Sequence, residues 1–337
     1  MSLFIMASPP PPPIIAVLGS LNVDLVTRTP RVPAAGETII ANGLSTGHGG
    51  KGANQAVACA RLSRPRRRRS SSPPPPADVE VRMVGAVGDD QFGRDFRVAL
   101  AADGLDVEGV RVVAGERTGT AVIVVEEASG ENRIMVNAGA NWRVEARPLV
   151  PEGTGVVVLQ LEVPMEVVEV NVRDAKSRGI DVVINPAPAV PLSDEVYSGL
   201  GHLIVNESEA ALLSGRPAEE IHPDADLTAV AADFVRKGVK NVIITLGSAG
   251  CFYHTATRHA EGLPGNIVPA KKVKVVDTTA AGDTFAGAYA VAVAKSRAQG
   301  AFDIGAAIAF ANRAAAQTVQ RNGAQSAIPW LDEVPDA

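Results

Sequence analysis

The chain predicts an α/β fold, a mostly parallel sheet covered by helices with a small β appendage. Three observations carry that prediction. Short β-branched runs alternate with stretches of helical length and composition, the pattern of strands returned in one direction by covering helices. Hydrophobic residues make up 46% of the 337-residue chain against a net charge of −5, which is enough apolar mass for a large core. Two segments break the alternation with period-2 patterning and turn residues, and so place antiparallel strands outside the main sheet.

The elements follow in order. "IIAVLGS" reads as a strand, "GANQAVACARL" as a helix, "VRMVGAVG" as a strand and "FGRDFRVALAADG" as a helix. "GVVVLQLE" is a strand, "MEVVEVNVRDAKSRG" a helix, and "DVVIN" and "HLIVN" are strands. The helix "DLTAVAADFVRKG", the strand "NVIITLG" and the Ala-rich helix "AGAYAVAVAK" complete the series. Val and Ile fill the strands because branched side chains suit a pleated surface, whereas Ala, Leu, Glu and Arg lose little rotamer freedom in a helix. The departures are "GETIIANGLSTGHGG" and "TGTAVIVVEEASGENRIMVNAGAN", the second holding two alternating runs around Ser129-Gly130. They predict strands within residues 36–48 and 118–138 that serve as a lid or a subunit contact.

Residues 1–13 are proline-rich, and "SRPRRRRSSSPPPPAD" combines prolines with like charges, so both are expected to stay unpacked. One ordered unit is expected over 14–330, interrupted by the insert at 64–77 and followed by a tail at 331–337. The modest acidic charge gives no reason to expect a nucleic-acid partner. No apolar window reaches bilayer length and the N-terminus lacks a basic leader, so no membrane partner is expected. Cys59 and Cys251 sit in apolar surroundings, which predicts reduced core thiols and a cytoplasmic protein. The five histidines share no metal-ligand spacing and neither cysteine forms a CxxC pair.

The chemistry centres on "DTTAAGDTF", residues 277–285. A turn between a strand end and a helix offers unpaired N–H groups to an anion, and Ala280, Ala281 and Gly282 are small enough to let a phosphate approach. A carboxylate in the first turn of a helix is favoured in its ionised form, which suits Asp283 to accept a proton. Base beside anion hole is what phosphoryl transfer to an alcohol requires. An Asp followed by Thr also suits an ordinary helix cap.

Other motifs collect polar groups at strand ends. "GHGGKGANQAVA" is a glycine turn opening a helix, with Lys51 and Asn54 beside approachable backbone at Gly50, and it lacks the GxxxxGK[ST] spacing of a Walker loop. Asn22 and Asp24, two residues apart in a strand, share a face and can bind a polyhydroxyl ligand. Glu162 follows the strand "VVVLQ". Asn206 and Glu209 in "VNESEA" match either a metal-assisting pair or a capping box. "TLGSAG", with Thr245, Gly247, Ser248 and Gly250, can pass a nucleotide close to the backbone or make a tight hairpin into "CFYH".

Taken together, "GSLNVD", "GGKGANQAVA", "VGDDQFG", "NAGAN", "LQLE", "NPAPA", "NESEA", "TLGSAG", "DTTAAGDTF" and "RNGAQSAIP" resemble, in this order, the ribokinase-like carbohydrate kinase family, over nearly the whole chain. The resemblance implies a doubly wound α/β domain with a β-sheet lid that forms a homodimer contact. It implies ATP-dependent phosphorylation of D-ribose at its 5-hydroxyl, with a kinase of 2-deoxyribose, another furanose or a nucleoside, or a non-catalytic sugar-binding regulator, as alternatives. It further implies Asp283 as base and residues 280–282 as anion hole. The sugar would meet Asn22, Asp24, Gly50 to Asn54 and Glu162. ATP would meet Asn206, Thr245 to Gly250, Gly282 and Asn312, and Glu209 would assist Mg²⁺ through water.

A monovalent cation, K⁺, would sit against Asp277 and the backbone of Thr279, Thr318, Arg321 and Gly323. Two departures stand out. Ala327 occupies the place of the family's usual cation-site serine, with Ser326 one residue earlier, and the arginine-rich insert replaces a short connection.

Overall fold

The computed structural model describes residues 11–66, 76–129, 131–300 and 302–336. Gly130, residues 1–10 and residues 67–75 of the predicted insert lie outside the described residues. Strand β1 (Ile14–Leu18) leads into β2 (Asn22–Thr29), β3 (Gly43–Gly49), α1 (Lys51–Leu62), β4 (Glu80–Gly88), α2 (Gln91–Ala102) and β5 (Val110–Val113). There follow β6 (Gly119–Glu126), β7 (Asn132–Asn137), β8 (Thr154–Leu159), α3 (Met165–Ser177), β9 (Asp181–Ile184), α4 (Asp194–Tyr197), β10 (His202–Asn206) and α5 (Glu207–Ser214). The chain closes with α6 (Leu227–Arg236), β11 (Asn241–Thr245), β12 (Cys251–Thr255), α7 (Ala256–Ala260), β13 (Asn266–Val268), α8 (Ala281–Gln299) and α9 (Ile304–Thr318).

The main sheet has nine strands in the order β13-β12-β11-β10-β9-β8-β1-β4-β5. Its seven strands from β11 to β5 are parallel, and β12 and β13 add antiparallel at one edge. Both faces are covered, so the central strands read as continuous apolar runs. Alternate residues of one strand serve different layers: Ile15 and Val17 of β1 pack with α1, α2, α8 and α9, while Ala16 and Leu18 pack with α3, α4, α5 and α6.

A second sheet, ordered β3-β2-β6-β7, stands apart from the first. The sequence placed Asn22 and Asp24 at the end of a strand with no lid role. They instead open β2, the strand at the centre of this small sheet, paired antiparallel with β3 and parallel with β6. The expected strand at 36–48 begins later, at Gly43, because residues 36–42 have no strand pairing. Local alternation could not show that β2 leaves the main sheet, since its partner β6 lies nearly a hundred residues on. Strands β5 and β13 and helices α4, α7 and α9 are further elements that the sequence reading did not name.

Candidate active site

Loops at the carboxyl ends of β1, β8, β10 and β11 converge with the N-termini of α1, α5 and α8, the crevice where ligands bind in open α/β sheets. Helix α1 starts at Gly50, whose φ of 82° lies in the left-handed region. A Cβ there would stand 2.7 Å from the Asn22 backbone nitrogen, so the turn needs glycine. Glu162 accepts from the Ser20 hydroxyl and from the Lys51 backbone N–H at 2.9 Å, which ties the end of β8 to the start of α1.

Helix α8 begins at Ala280, a non-glycine residue in left-handed conformation at φ 59°. The first intrahelical bond runs from Thr284 N to Ala280 O at 2.8 Å, so the N–H groups of Gly282 and Asp283 precede it and face outward from the helix end. A Cβ at Gly282 would meet nothing within 4 Å, which marks open space for a ligand. Asp283 itself is 8% exposed and does not cap the helix. Its Oδ2 accepts from Asn54 Nδ2 at 2.9 Å and its Oδ1 from Gln55 Nε2 at 3.0 Å. The capping reading of this motif is therefore corrected: the side chain turns across to α1 and leaves the helix end free.

Asp24 lies against Gly49, where a Cβ would come within 2.3 Å of its Oδ2. No described hydrogen-bond donor reaches the Asp24 carboxyl. Burial, then the charges of Glu162 and Asp283, push it up to about 7. Asn22 is buried and its Oδ1 accepts from Asn141 Nδ2 at 2.8 Å. Asn141 also takes Leu21 N–H at 2.9 Å, so this side chain anchors the joint between the main sheet and the lid.

On the other side of the crevice, Asn206 and Glu209 make a full capping box at the start of α5, with Glu209 N donating to Asn206 Oδ1 at 2.8 Å and Asn206 N to Glu209 Oε2 at 2.9 Å. Burial raises the Glu209 carboxyl above its ordinary range; the Asn206 N–H and Lys51 oppose that rise, and Asp283 adds to it. Glu209 Oε1 has no described partner, so the box leaves one oxygen available. The turn from Thr245 to Gly250 joins β11 to β12, which makes the expected hairpin into "CFYH", and Gly250 at φ 103° approaches Val268 O closely. Asn312 donates to Val268 O at 3.1 Å and accepts from Cys251 Sγ at 3.1 Å, so its amide braces this wall. Cys59 and Cys251 are buried free thiols.

A third cluster closes behind the α8 start. Asp277 Oδ1 accepts from Thr279 N at 2.9 Å and Oδ2 from Gly323 N at 2.9 Å, folding the turn after α9 onto the 277–279 segment. Burial opposes ionisation of Asp277, but the Gly323 N–H, the Thr279 hydroxyl and N–H and the Arg28 charge together outweigh it and hold the carboxyl below its usual range. Thr318 is fully buried and Ala327 puts a methyl group inward, whereas the Ser326 hydroxyl donates outward to Asn322 O at 3.2 Å. The site thus gathers residues from most of the motifs read in the sequence. It also includes Ser20, Gln55, Asn141, Gln160 and Asn185, which that reading did not single out.

Three comparisons bear on this arrangement. The family model described as pfkB family carbohydrate kinase matches residues 14–331. A ribokinase of Schizosaccharomyces pombe is 44% identical, covering 95% of this chain and 96% of its own length. A deoxyribokinase of Salmonella typhi is 34% identical, with 95% of this chain and 96% of its own length covered. Among solved structures, Arabidopsis thaliana ribokinase complexed with ribose and ATP superposes with a TM-score of 0.80 at 30% identity, covering 96% of this chain and 97% of the other. The crevice between two sheets, the glycine turn into α1 and the uncapped start of α8 thus belong to a fold shared along nearly the full chain: this protein is a ribokinase-like member of the pfkB family of carbohydrate kinases.

Proposed function

We propose that this chain transfers the γ-phosphoryl group of ATP to the 5-hydroxyl of D-ribose, giving D-ribose 5-phosphate and ADP. The observation that carries this reading is Asp283, a buried carboxylate held by Asn54 and Gln55 beside N–H groups that the α8 start leaves free. Asp283 takes the hydroxyl proton as the ribose oxygen bonds to phosphorus and the bond from phosphorus to the bridging oxygen of ADP breaks. The free N–H groups of Gly282 and Asp283, presented by the backbone turn at residues 280–282, offset charge on the transferred oxygens. Asp24, Asn22, Glu162 and the Gly50 to Asn54 turn bind the sugar hydroxyls. Asn206, Thr245 to Gly250 and the Asn312 brace form the nucleotide wall.

Glu209 has one uncommitted oxygen and lies within electrostatic reach of Asp283, which fits Mg²⁺ held through water and phosphate oxygens. When bound with ATP, Mg²⁺ supplies charge neutralisation at the phosphates. Asp277 and the backbone carbonyls of Thr279, Thr318, Arg321 and Gly323 belong to two segments that Asp277 ties together, which suits K⁺ held by their oxygens, while the Ala327 side chain contributes none. The lid exposes Leu44 and Met135 on one face and Ile134 and Val136 on the other, apolar surface suited to a homodimer contact. No described helix is long and apolar enough to cross a membrane, and the buried thiols suit a cytoplasmic enzyme.

The test is ATP-dependent ADP release with Mg²⁺ across D-ribose, 2-deoxyribose, fructose and adenosine. D-ribose is expected to give the highest kcat/KM. A preference for 2-deoxyribose is the second reading, favoured by the likeness to the Salmonella typhi relative. Sugar binding without any turnover would sink both in favour of a non-catalytic regulator.

A further inference from the structure

Asp283 is held from α1 by two consecutive side chains, and the second of them belongs to a buried amide chain. Gln55 is fully buried. Its Nε2 donates to Asp283 Oδ1 at 3.0 Å and to Asn185 Oδ1 at 3.1 Å, and its Oε1 accepts from Gln160 Nε2 at 2.6 Å. Asn185 in turn donates to Ile204 O at 3.0 Å, a main-chain carbonyl that can only accept. That bond fixes which end of Asn185 faces Gln55. If Gln55 turned over, its oxygen would meet the oxygens of Asn185 and Asp283, and its NH₂ would meet the NH₂ of Gln160. The Asn185 bond to Ile204 O and the acceptor-only carboxylate therefore lock Gln55 as a donor toward Asp283, and Gln160 follows as the donor to its oxygen.

The helix packing brings this about. Gly287 lies one turn after Asp283 on α8, and a Cβ there would fall 2.5 Å from Ala58 Cβ and 2.9 Å from Gln55 O. Cys59 Sγ lies 3.5 Å from Gly287 O at the same crossing. Close approach at Gly287 sets the preceding turn of α8 within reach of Asn54 and Gln55. At the other end, Gln160 Oε1 has no partner and lies 2.0 Å from where a Cβ of Gly19 would stand.

We infer that Gln55, oriented by Asn185 and held at its oxygen by Gln160, is a positioning residue for the proton acceptor: it holds Oδ1 of Asp283 so that Oδ2 is presented to the acceptor hydroxyl. This rests on the proposed role of Asp283. The charged groups that face Asp283 are Asp24 from β2 and Glu209 from α5, and substituting Gln55 leaves both in place.

The test compares Gln55→Met, which keeps the shape and removes the donor, with Asp283→Asn and the unsubstituted chain. The readouts are kcat and KM for D-ribose, the pH profile of kcat and the melting temperature. Gln55→Met is expected to lower kcat by roughly 10- to 100-fold, below the cost of losing the base itself, with KM changed less than about threefold. The acid limb of kcat is expected at higher pH, because a carboxylate that loses an N–H donor holds a proton more tightly. Gln160→Leu, one bond further from the carboxylate, is expected to move kcat and the limb in the same directions by less, and it decides the matter should Gln55→Met not fold. Unchanged kcat, or a lower melting temperature with an unmoved acid limb, would overturn the inference. Absence of turnover in the unsubstituted chain would instead sink the proposed function.

Discussion

Asp24, half-buried, and Asp283, buried, are two carboxyl groups facing one crevice, and the protein treats them in opposite ways. Asp283, on the long helix α8, receives an amide N–H on each oxygen. Asp24, on the lid strand β2, has no described donor and is pushed up to about 7 by burial, Glu162 and Asp283. The first group is held rigidly by the body of the domain before any ligand arrives. The second is left unsatisfied on the lid, so its missing hydrogen bonds are available to a ligand's hydroxyl groups. In their proposed roles, the acid that takes the proton is preorganised, while the acid that binds the sugar is left open to it.

The sharpest way to break this comparison is Asp283→Asn. The amide keeps the volume and removes the proton acceptor, so kcat is expected to fall by about 10² to 10⁴ with KM for D-ribose changed only a few-fold. Steady-state kinetics with a coupled ADP assay measure both. A large rise in KM with kcat retained would make Asp283 a second recognition group and erase the contrast.

The Asp24→Asn variant should separate binding from stability. The folded-state value of Asp24 lies above its unfolded one, so the folded chain holds this proton while the unfolded chain releases it. Stability is therefore full below about pH 4 and declines as pH rises toward about 7, then stays at the lower level. The span is worth at most ~4 kcal/mol, and solvent reaching the partly exposed carboxyl brings it to roughly half. Asn at this position removes the slope, so the ligand-free variant is expected to melt several degrees higher at pH 8 and no higher at pH 4. Affinity for D-ribose should fall about 10- to 100-fold, as for a lost hydrogen bond to a charged group. Melting curves across pH without sugar, together with calorimetric titration of the sugar, test the two halves independently.

The same two residues show how much of the site could be read from sequence. Asp283 was legible because glycine, small residues and an Ala-rich helix lie next to it in the chain, and a helix start has a local signature. Asp24 was legible as a polar residue with Asn22, but its setting was not. Its strand reads locally like any other, and only pairing with β6, together with the anchor at Asn141, takes it out of the main sheet. Gln55 sat inside a quoted motif and read as one more helical residue, because its partners Gln160, Asn185 and Asp283 are between 105 and 228 residues away. Periodicity reports which face of an element is buried. It carries no information on which distant side chain completes a hydrogen bond there. The main sheet, whose apolar runs need no specified partner to be recognised as strands, was for that reason the most legible part.

Asp277 extends the comparison to a third carboxylate and gives the smallest expected effect. Like Asp283 it is held by donors, but besides the Thr279 hydroxyl these are the backbone N–H groups of Thr279 and Gly323, so what it fixes is the path of the main chain. That path brings the backbone after α9 against the segment before α8, where the K⁺ site is proposed. Ala327 brings a methyl group where a hydroxyl could have added a ligand, and Ser326 points outward to Asn322 O. Restoring the hydroxyl with Ala327→Ser adds one oxygen to a set already shaped by Asp277. It is expected to lower the K⁺ concentration for half-maximal activation several-fold, about 1 kcal/mol for one added oxygen contact, while kcat at saturating K⁺ stays within about twofold. Titrating activity with KCl at constant ionic strength measures this. If the unsubstituted chain already activates as tightly as the serine variant, the carbonyls arranged by Asp277 are sufficient, and the frame rather than the missing hydroxyl sets cation affinity.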